Sequence, residues 1–212
     1  MELILEIIQA LQLNEECPVS AVEIGTIEIL SGKIVASDPL VEPDAPAFDK
    51  ITPKGSFPVQ LLVDDHDEIA FAQIVFNNNP VVRVEMATLE GQSLDALEEG
   101  FIYGYPVDSG LGCFMDLEAG KLLTAANDEL FDKDPESNYY DAVIDAELGE
   151  NAHCDHRPSK DSKLNVLMFQ TGWGDGVYAS YWGFDAAGKI VTLVTDFGLV
   201  DLDVEEYDLD EE

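Results

Sequence analysis

The sequence predicts an α+β fold built on a mostly antiparallel β-sheet, sandwich-like or strongly bent, with an N-terminal helix and two inserted helices. Two observations lead to this prediction. Apolar side chains recur at helical spacing in residues 1–13, whereas from Val22 onward the apolar period changes to two. Tight turns such as Ser31-Gly32 and residues 185–188 separate the apolar runs, as is typical of antiparallel sheets.

The first helix and the strands follow directly from these two periods. The helix presents Leu3, Ile7 and Leu11 on one face, and we expect that face to lie on the sheet. The third to fifth predicted strands are expected to form an antiparallel meander. Alternating apolar residues predict about eight or nine strands, over residues 22–29, 33–37, 57–63, 69–76, 81–89, 101–107, 164–170, 177–184 and 189–197.

Capping residues indicate where the other helices begin. Asp116 precedes an apolar stripe and is expected to cap a helix over residues 117–131. Ser93 is expected to cap a short helical turn, and a further helix is predicted near residues 137–148.

The remaining segments are predicted to be irregular. Five prolines between residues 38 and 58 exclude a helix or a central strand, so this stretch is expected to cross the surface. Residues 149–163 are polar and are predicted to form an irregular loop. We assign residues 1–200 to one domain and residues 201–212 to an acidic tail.

The most unusual property of the sequence is its charge. Its 44 acidic residues oppose 10 basic ones, which gives a formal net charge of -34 at pH 7. Such a charge repels nucleic acid and anionic membranes and attracts basic proteins. Solubility alone, a salt-loving host and a surface for a basic partner all remain open as explanations. The host explanation fits less well, because lysine outnumbers arginine.

The N-terminus and the cysteines predict a cytoplasmic protein. Glu2 stands where a secretory signal has a basic residue, and Glu6 interrupts the apolar run. No stretch of the sequence has the length of a membrane span. The three cysteines are widely spaced and odd in number, so we expect free thiols in a reducing compartment.

Two glycine-rich segments, residues 104–116 and 172–183, stand out from the rest of the chain. Together with neighbouring segments they carry the motifs SGKIVASDPLV, GLGCFMD, GWGDG, YWG and VTDF, in that order. In these motifs the sequence resembles a bacterial family classed as a domain of unknown function, over about residues 22–198. The resemblance implies membership of the family but no particular reaction.

Four aspartates lie at turns or strand ends in or beside these segments: Asp108, Asp116, Asp175 and Asp196. If the segments meet, their carboxylates and nearby carbonyl oxygens would suit a hard cation such as Ca²⁺. The alternative is structural, with Asp116 as a helix cap and Asp175 as an ordinary turn residue. We therefore predict no metal site and no cofactor, with Ca²⁺ as the remaining alternative.

Cys113 and the histidines are the other residues capable of chemistry. Cys113 precedes a predicted helix, whose N-terminus would lower the pKa of its thiol. A cysteine nucleophile also needs a base, and His66, His153 and His156 are all expected in polar loops. We therefore favour a small buried residue at position 113. The His153–His156 stretch lacks the second ligand pair of a zinc site, and we favour an exposed loop there.

Aromatic residues concentrate near one predicted hairpin, at Trp173, Tyr178, Tyr181 and Trp182. Such residues usually belong to the core, but Trp and Tyr also anchor protein interfaces. The candidate binding residues of the chain are Asp108, Cys113, Asp116, Trp173, Asp175, Tyr181, Trp182 and Asp196.

The sequence contains no P-loop, nucleophile elbow or HExxH motif. We therefore favour a non-enzymatic protein-binding domain, such as an immunity protein that neutralises a basic toxin enzyme. The alternative is an enzyme, or a small-ligand or metal-binding domain, that uses Asp116, Asp175 and Asp196. A third hypothesis is a mimic of nucleic-acid charge, which requires carboxylates spaced along one face. The sequence carries no signal for the oligomeric state.

Overall fold

A computed structural model of the chain describes residues 1–200, and the predicted acidic tail lies outside these residues. The helices are α1 (Glu2–Leu13), α2 (Leu117–Lys133) and α3 (Asp145–Leu148), with a 3-10 turn at Leu94–Ala96 and a π-helical turn at Tyr140–Ile144. The strands are β1 (Ser20–Ile29), β2 (Ile34–Ser37), β3 (Gly55–Val63), β4 (Ile69–Val75), β5 (Arg83–Met86), β6 (Gly104–Val107), β7 (Leu111–Asp116), β8 (His153–His156), β9 (Val166–Gln170), β10 (Gly176–Phe184) and β11 (Ile190–Asp196).

The strands form two antiparallel sheets. The large sheet has the order β1-β3-β4-β11-β10-β5, with β6 also paired to β10, and the small sheet has the order β2-β7-β9-β8. Gly25, with φ +148°, lies at a bulge in β1. The predicted α+β class, with a mostly antiparallel sheet, an N-terminal helix and inserted helices, is confirmed.

Each sheet buries both of its faces, which gives four layers. One core lies between the two sheets, where Trp182 and Leu193 of the large sheet join Phe114 and Phe169 of the small sheet. A second core lies between the other face of the large sheet and helix α1. A third lies between the small sheet and helices α2 and α3. No helix within residues 1–200 is long and apolar enough to cross a membrane.

Two strands were not predicted, so the count is eleven instead of about eight or nine. Strand β7 lies within the glycine-rich segment, whose glycines favoured a turn. Strand β8 falls in the stretch predicted to be a polar loop. It is an edge strand of four residues that pairs only with β9, and Cys154 and His156 point inward. A short edge strand needs few apolar residues, which explains why its pattern was missed.

The predicted meander was wrong at its third strand. Strands β3 and β4 pair as expected, but β4 then pairs with β11, and β5 pairs with β10. The β4–β5 connection therefore crosses two strands. One cap and one helix also differ from expectation. The Ser93 side chain makes no capping hydrogen bond, and the helix predicted near residues 137–148 begins with a π-helical turn.

The β1–β2 turn, which joins the large sheet to the small sheet, is held in place by Asp116, which is fully buried. Its Oδ2 accepts hydrogen bonds from Leu30 N (2.8 Å), Ser31 N (2.7 Å) and the Ser31 hydroxyl (2.8 Å). Its Oδ1 accepts one from Glu118 N (2.9 Å), which confirms the predicted cap of α2. One side chain therefore fixes both the β1–β2 turn and the first turn of the helix.

Replacing Asp116 by alanine should lower the free energy of unfolding by about 3 kcal/mol, because buried backbone donors lose their acceptor. Urea unfolding followed by circular dichroism measures this change. The control is Asp128→Ala, at an exposed position of the same helix, which should change stability by less than about 0.5 kcal/mol. Equal stabilities of the two variants would contradict the structural role of Asp116.

Candidate functional site

The two glycine-rich segments meet in the structure. Strand β6, from the first segment, pairs with β10, from the second, with Tyr105 opposite Tyr178. Beyond these strands, Thr171 N donates a hydrogen bond to the carbonyl oxygen of Gly110 (3.1 Å). The two loops that follow β6 and precede β10 therefore form one continuous surface.

The loop of residues 171–175 is fixed by its own hydrogen bonds. The Thr171 hydroxyl donates to Gly174 O at 2.6 Å, and the Tyr178 hydroxyl donates to the same oxygen at 2.9 Å. Gly174 adopts a φ of +77°, a conformation that favours glycine. The loop presents Trp173 with 68% of its side chain exposed, and the indole Nε1 donates to Gly198 O (3.2 Å).

Two exposed aspartates and a shallow depression lie near this tryptophan along the two segments. Asp175 is exposed beside it, and Asp108 is exposed next to the paired residues Val107 and Gly176. A shallow depression of about 390 Å³ runs from Trp173 to Ser109 and Tyr140. We call Asp108, Tyr140, Trp173, Asp175 and the exposed Val177 the Trp173 surface.

The structure does not bring the four aspartates together as the alternative of a shared cation site requires. Asp116 lies at the far end of β7 from the Trp173 surface, with both oxygens engaged by the backbone. Asp196 ends β11, where its Oδ1 accepts a hydrogen bond from Gly198 N (2.8 Å). Among residues 1–200, the only three side chains close enough to share a metal ion are Asp64, Asp65 and His66, in an exposed turn. Nothing in the geometry favours a Ca²⁺ site at the four aspartates.

Cys113 lies inside β7 and not at the helix N-terminus. It is fully buried, and burial raises the pKa of its thiol to about 12. Its polar side-chain neighbour is the Ser37 hydroxyl, 3.7 Å from Sγ. Within the described part of the chain no histidine contacts it, so the geometry matches the buried structural residue that we favoured.

Two of the candidate aromatic residues belong to cores. Trp182 is fully buried between the sheets, 5.8 Å from the ring of Phe48 in an edge-on arrangement. Tyr181 points to the opposite face, under helix α1, and desolvation raises the pKa of its hydroxyl to about 12. Of the predicted aromatic candidates, Trp173 alone is exposed.

The interpretation of His156 as an exposed loop residue was wrong. It is almost fully buried, with Nδ1 2.9 Å from a Glu147 carboxylate oxygen and Nε2 2.9 Å from the Tyr139 hydroxyl. Both ring nitrogens are therefore engaged, and the histidine anchors α3 and its preceding turn to the small sheet. Burial lowers the pKa of the neighbouring His153.

Asp38 was not predicted, although it builds one edge of the Trp173 surface. This buried residue accepts hydrogen bonds through Oδ2 from Asp108 N (3.0 Å) and Ser109 N (2.8 Å). Its Oδ1 accepts one from the Ser109 hydroxyl (2.8 Å). The Asp38-Pro39 dipeptide is typical of a turn, and only its position in the SGKIVASDPLV motif distinguished it from the other turns.

A family model described as "Protein of unknown function (DUF4241)" matches residues 27–195, which is more than half of the chain. The chain belongs to this family. The match runs from β1 into β11 and includes both glycine-rich segments, so the resemblance seen in the sequence is confirmed. No curated protein and no solved structure matches the chain.

The burial of the thiols predicts their reactivity. Cys113 and Cys154 are buried with pKa values raised to about 12, whereas Cys17 is partly exposed. In the native protein Ellman's reagent at mildly alkaline pH should therefore react with Cys17 alone, and Cys17→Ser should abolish this reaction. Unfolding in urea should expose the other two thiols. Fast labelling of Cys113 in the native protein would contradict its burial.

Removing the carboxyl of Asp196 should stabilise the protein to an extent that depends on pH. Burial raises the pKa of this group, so ionisation favours the unfolded chain as the pH rises through the usual carboxyl range. Asp196→Asn should therefore stabilise the protein near neutral pH and have little effect in acid, where the native carboxyl is protonated. Thermal unfolding across this range measures the difference, and Asp95→Asn at an exposed position is the control.

Proposed function

We propose that the protein is a non-enzymatic, cytoplasmic binding domain whose partner is a basic protein, as expected for an immunity protein that neutralises a basic toxin enzyme. The observation that supports this most directly is Trp173, exposed at the meeting point of the two glycine-rich segments. Tryptophan is among the residues that most often dominate the energy of protein interfaces.

The hydrogen bonds that hold Trp173 and its loop in place suit a residue that anchors a protein interface. Its indole is hydrogen-bonded to Gly198, and its loop is fixed through Thr171 and Tyr178. An ordered side chain loses less conformational entropy on binding, so more of the contact energy appears as affinity. An exposed tryptophan on such a loop supports recognition of another protein more than general solubility.

The charge of the described residues supports a basic partner. Eight of the 44 acidic residues fall in residues 201–212, so residues 1–200 still carry 36 acidic against 10 basic residues. In this part of the chain, the five ion pairs that involve lysine or arginine engage only four carboxylates, those of Glu28, Glu85, Glu118 and Glu129. The unpaired carboxylates would accelerate the encounter with a cationic protein and disfavour nucleic acid and anionic membranes.

Affinity capture with the purified protein as bait tests this function. The wild-type protein should retain one basic protein from its native host at low salt, and the association should slow as the salt concentration rises. Trp173→Ala should weaken binding of that partner by about 2 kcal/mol, or roughly thirtyfold. The matched control is Phe131→Ala, which removes an exposed aromatic ring on α2 and should leave the affinity unchanged.

Two results would overturn the proposal. One is the capture of no basic protein even at low salt. The other is an equal effect of Trp173→Ala and Phe131→Ala on the affinity of the captured partner. In that case Trp173 would not contact the partner, and charge alone would account for binding.

A further inference from the structure

A cavity of about 180 Å³ lies at the open edge between the two sheets. Strands β6 and β10 of the large sheet form one side, and Ala36 of β2 contributes the other. The connection between β2 and β3 covers the cavity and is bonded to strand β2 and to the segment that follows β5, since Phe48 N donates to Ile34 O and Asp49 N donates to Thr88 O, each at 2.9 Å. The walls of the cavity are therefore ordered.

The walls are aromatic, and small residues leave the space between them. Phe48, Tyr103, Tyr105 and Tyr178 contribute four rings. Alanines at positions 36, 45 and 87 keep the volume open. Because a cavity of about 150 Å³ lined by apolar side chains is large enough to bind benzene, this one has room for a single six-membered ring.

Glu42 is the only charged residue among those that line the cavity. The Tyr105 hydroxyl is enclosed behind the cavity wall, near Thr195, where solvent does not reach it, so it offers a ligand no hydrogen bond. At the mouth, Glu42 is exposed and has no basic partner in the described residues.

We propose that this cavity binds a small aromatic amine, with its single ring between the tyrosines and its ammonium group at Glu42. Tyrosine rings attract a cation as well as an aromatic ring. The excess of carboxylates raises the local concentration of cations and repels anions of the same size. Tyr178 lines the cavity and also supports the Trp173 loop, but the probes and variants used to test this site leave both Tyr178 and Trp173 unchanged. Failure of this proposal can therefore be distinguished from failure of the proposed protein interface.

Calorimetric titration with three single-ring probes tests the proposal. Tyramine carries the ring and an ammonium group, p-cresol carries the ring alone, and 4-hydroxyphenylacetate carries the ring and a carboxylate. Tyramine should bind most tightly and 4-hydroxyphenylacetate most weakly. Glu42→Gln should lower the advantage of tyramine over p-cresol by about fivefold, the effect expected of one exposed charge pair.

Substitutions that fill the cavity identify the site. Ala87→Leu, or Ala45→Leu if the first variant does not fold, should abolish binding of all three probes, with folding verified by circular dichroism. The control Ala125→Leu, on an exposed position of α2, should bind tyramine like the wild-type protein. The proposal is overturned if tyramine does not bind at millimolar concentration, if both filled variants still bind it, or if the carboxylate probe binds as tightly.

Discussion

The chain leaves the large sheet and enters the small sheet at the β1–β2 turn, and the buried carboxylate of Asp116 holds this crossing. Burying a polar group is costly unless hydrogen bonds replace its water, and four donors from the turn and from α2 do so here. Asp116 is also the register partner of Ile34 in β2. Fixing the turn at this residue therefore fixes the pairing of β2 with β7 and the start of the helix that covers them.

Two other polar side chains also form hydrogen bonds with the backbone of a distant segment. Asn165 of the small-sheet layer accepts a hydrogen bond from Glu28 N and donates one to Thr26 O, both in β1. Asp38 holds the backbone after β6 in a similar way. Asp38 fixes the backbone of the Trp173 surface, whereas Asp116 and Asn165 join β1 to the small sheet. Buried polar side chains therefore contribute to stability in both places, and one of them also orders the candidate site.

Periodic apolar patterns predicted α1, α2 and nine of the strands, because these elements pack long apolar faces on a neighbouring layer. Strand β7 was missed because its glycines allow close approach of neighbouring side chains, with Phe169 only 3.0 Å from a Cβ built on Gly112. The position of β5 was missed because no local pattern encodes which distant strand it pairs with. The site was predicted in part, because the two glycine-rich segments that the sequence singled out do meet. The sequence did not decide between the two roles of the aspartates, because an aspartate that accepts hydrogen bonds from buried backbone has the same local sequence as one that binds a ligand.

Burial divides the acidic residues into two groups with different physical roles. Both oxygens of buried Asp38 and of buried Asp116 accept hydrogen bonds from the protein itself, which gives these carboxylates a structural role. The exposed carboxylates repel one another, and the folded state gains nothing from their number beyond solubility. The excess of exposed charge and the exposed Trp173 are therefore properties of the surface and not of the fold. Under the proposed function, a cationic protein is the partner for which both the ring and the charge would contribute to binding.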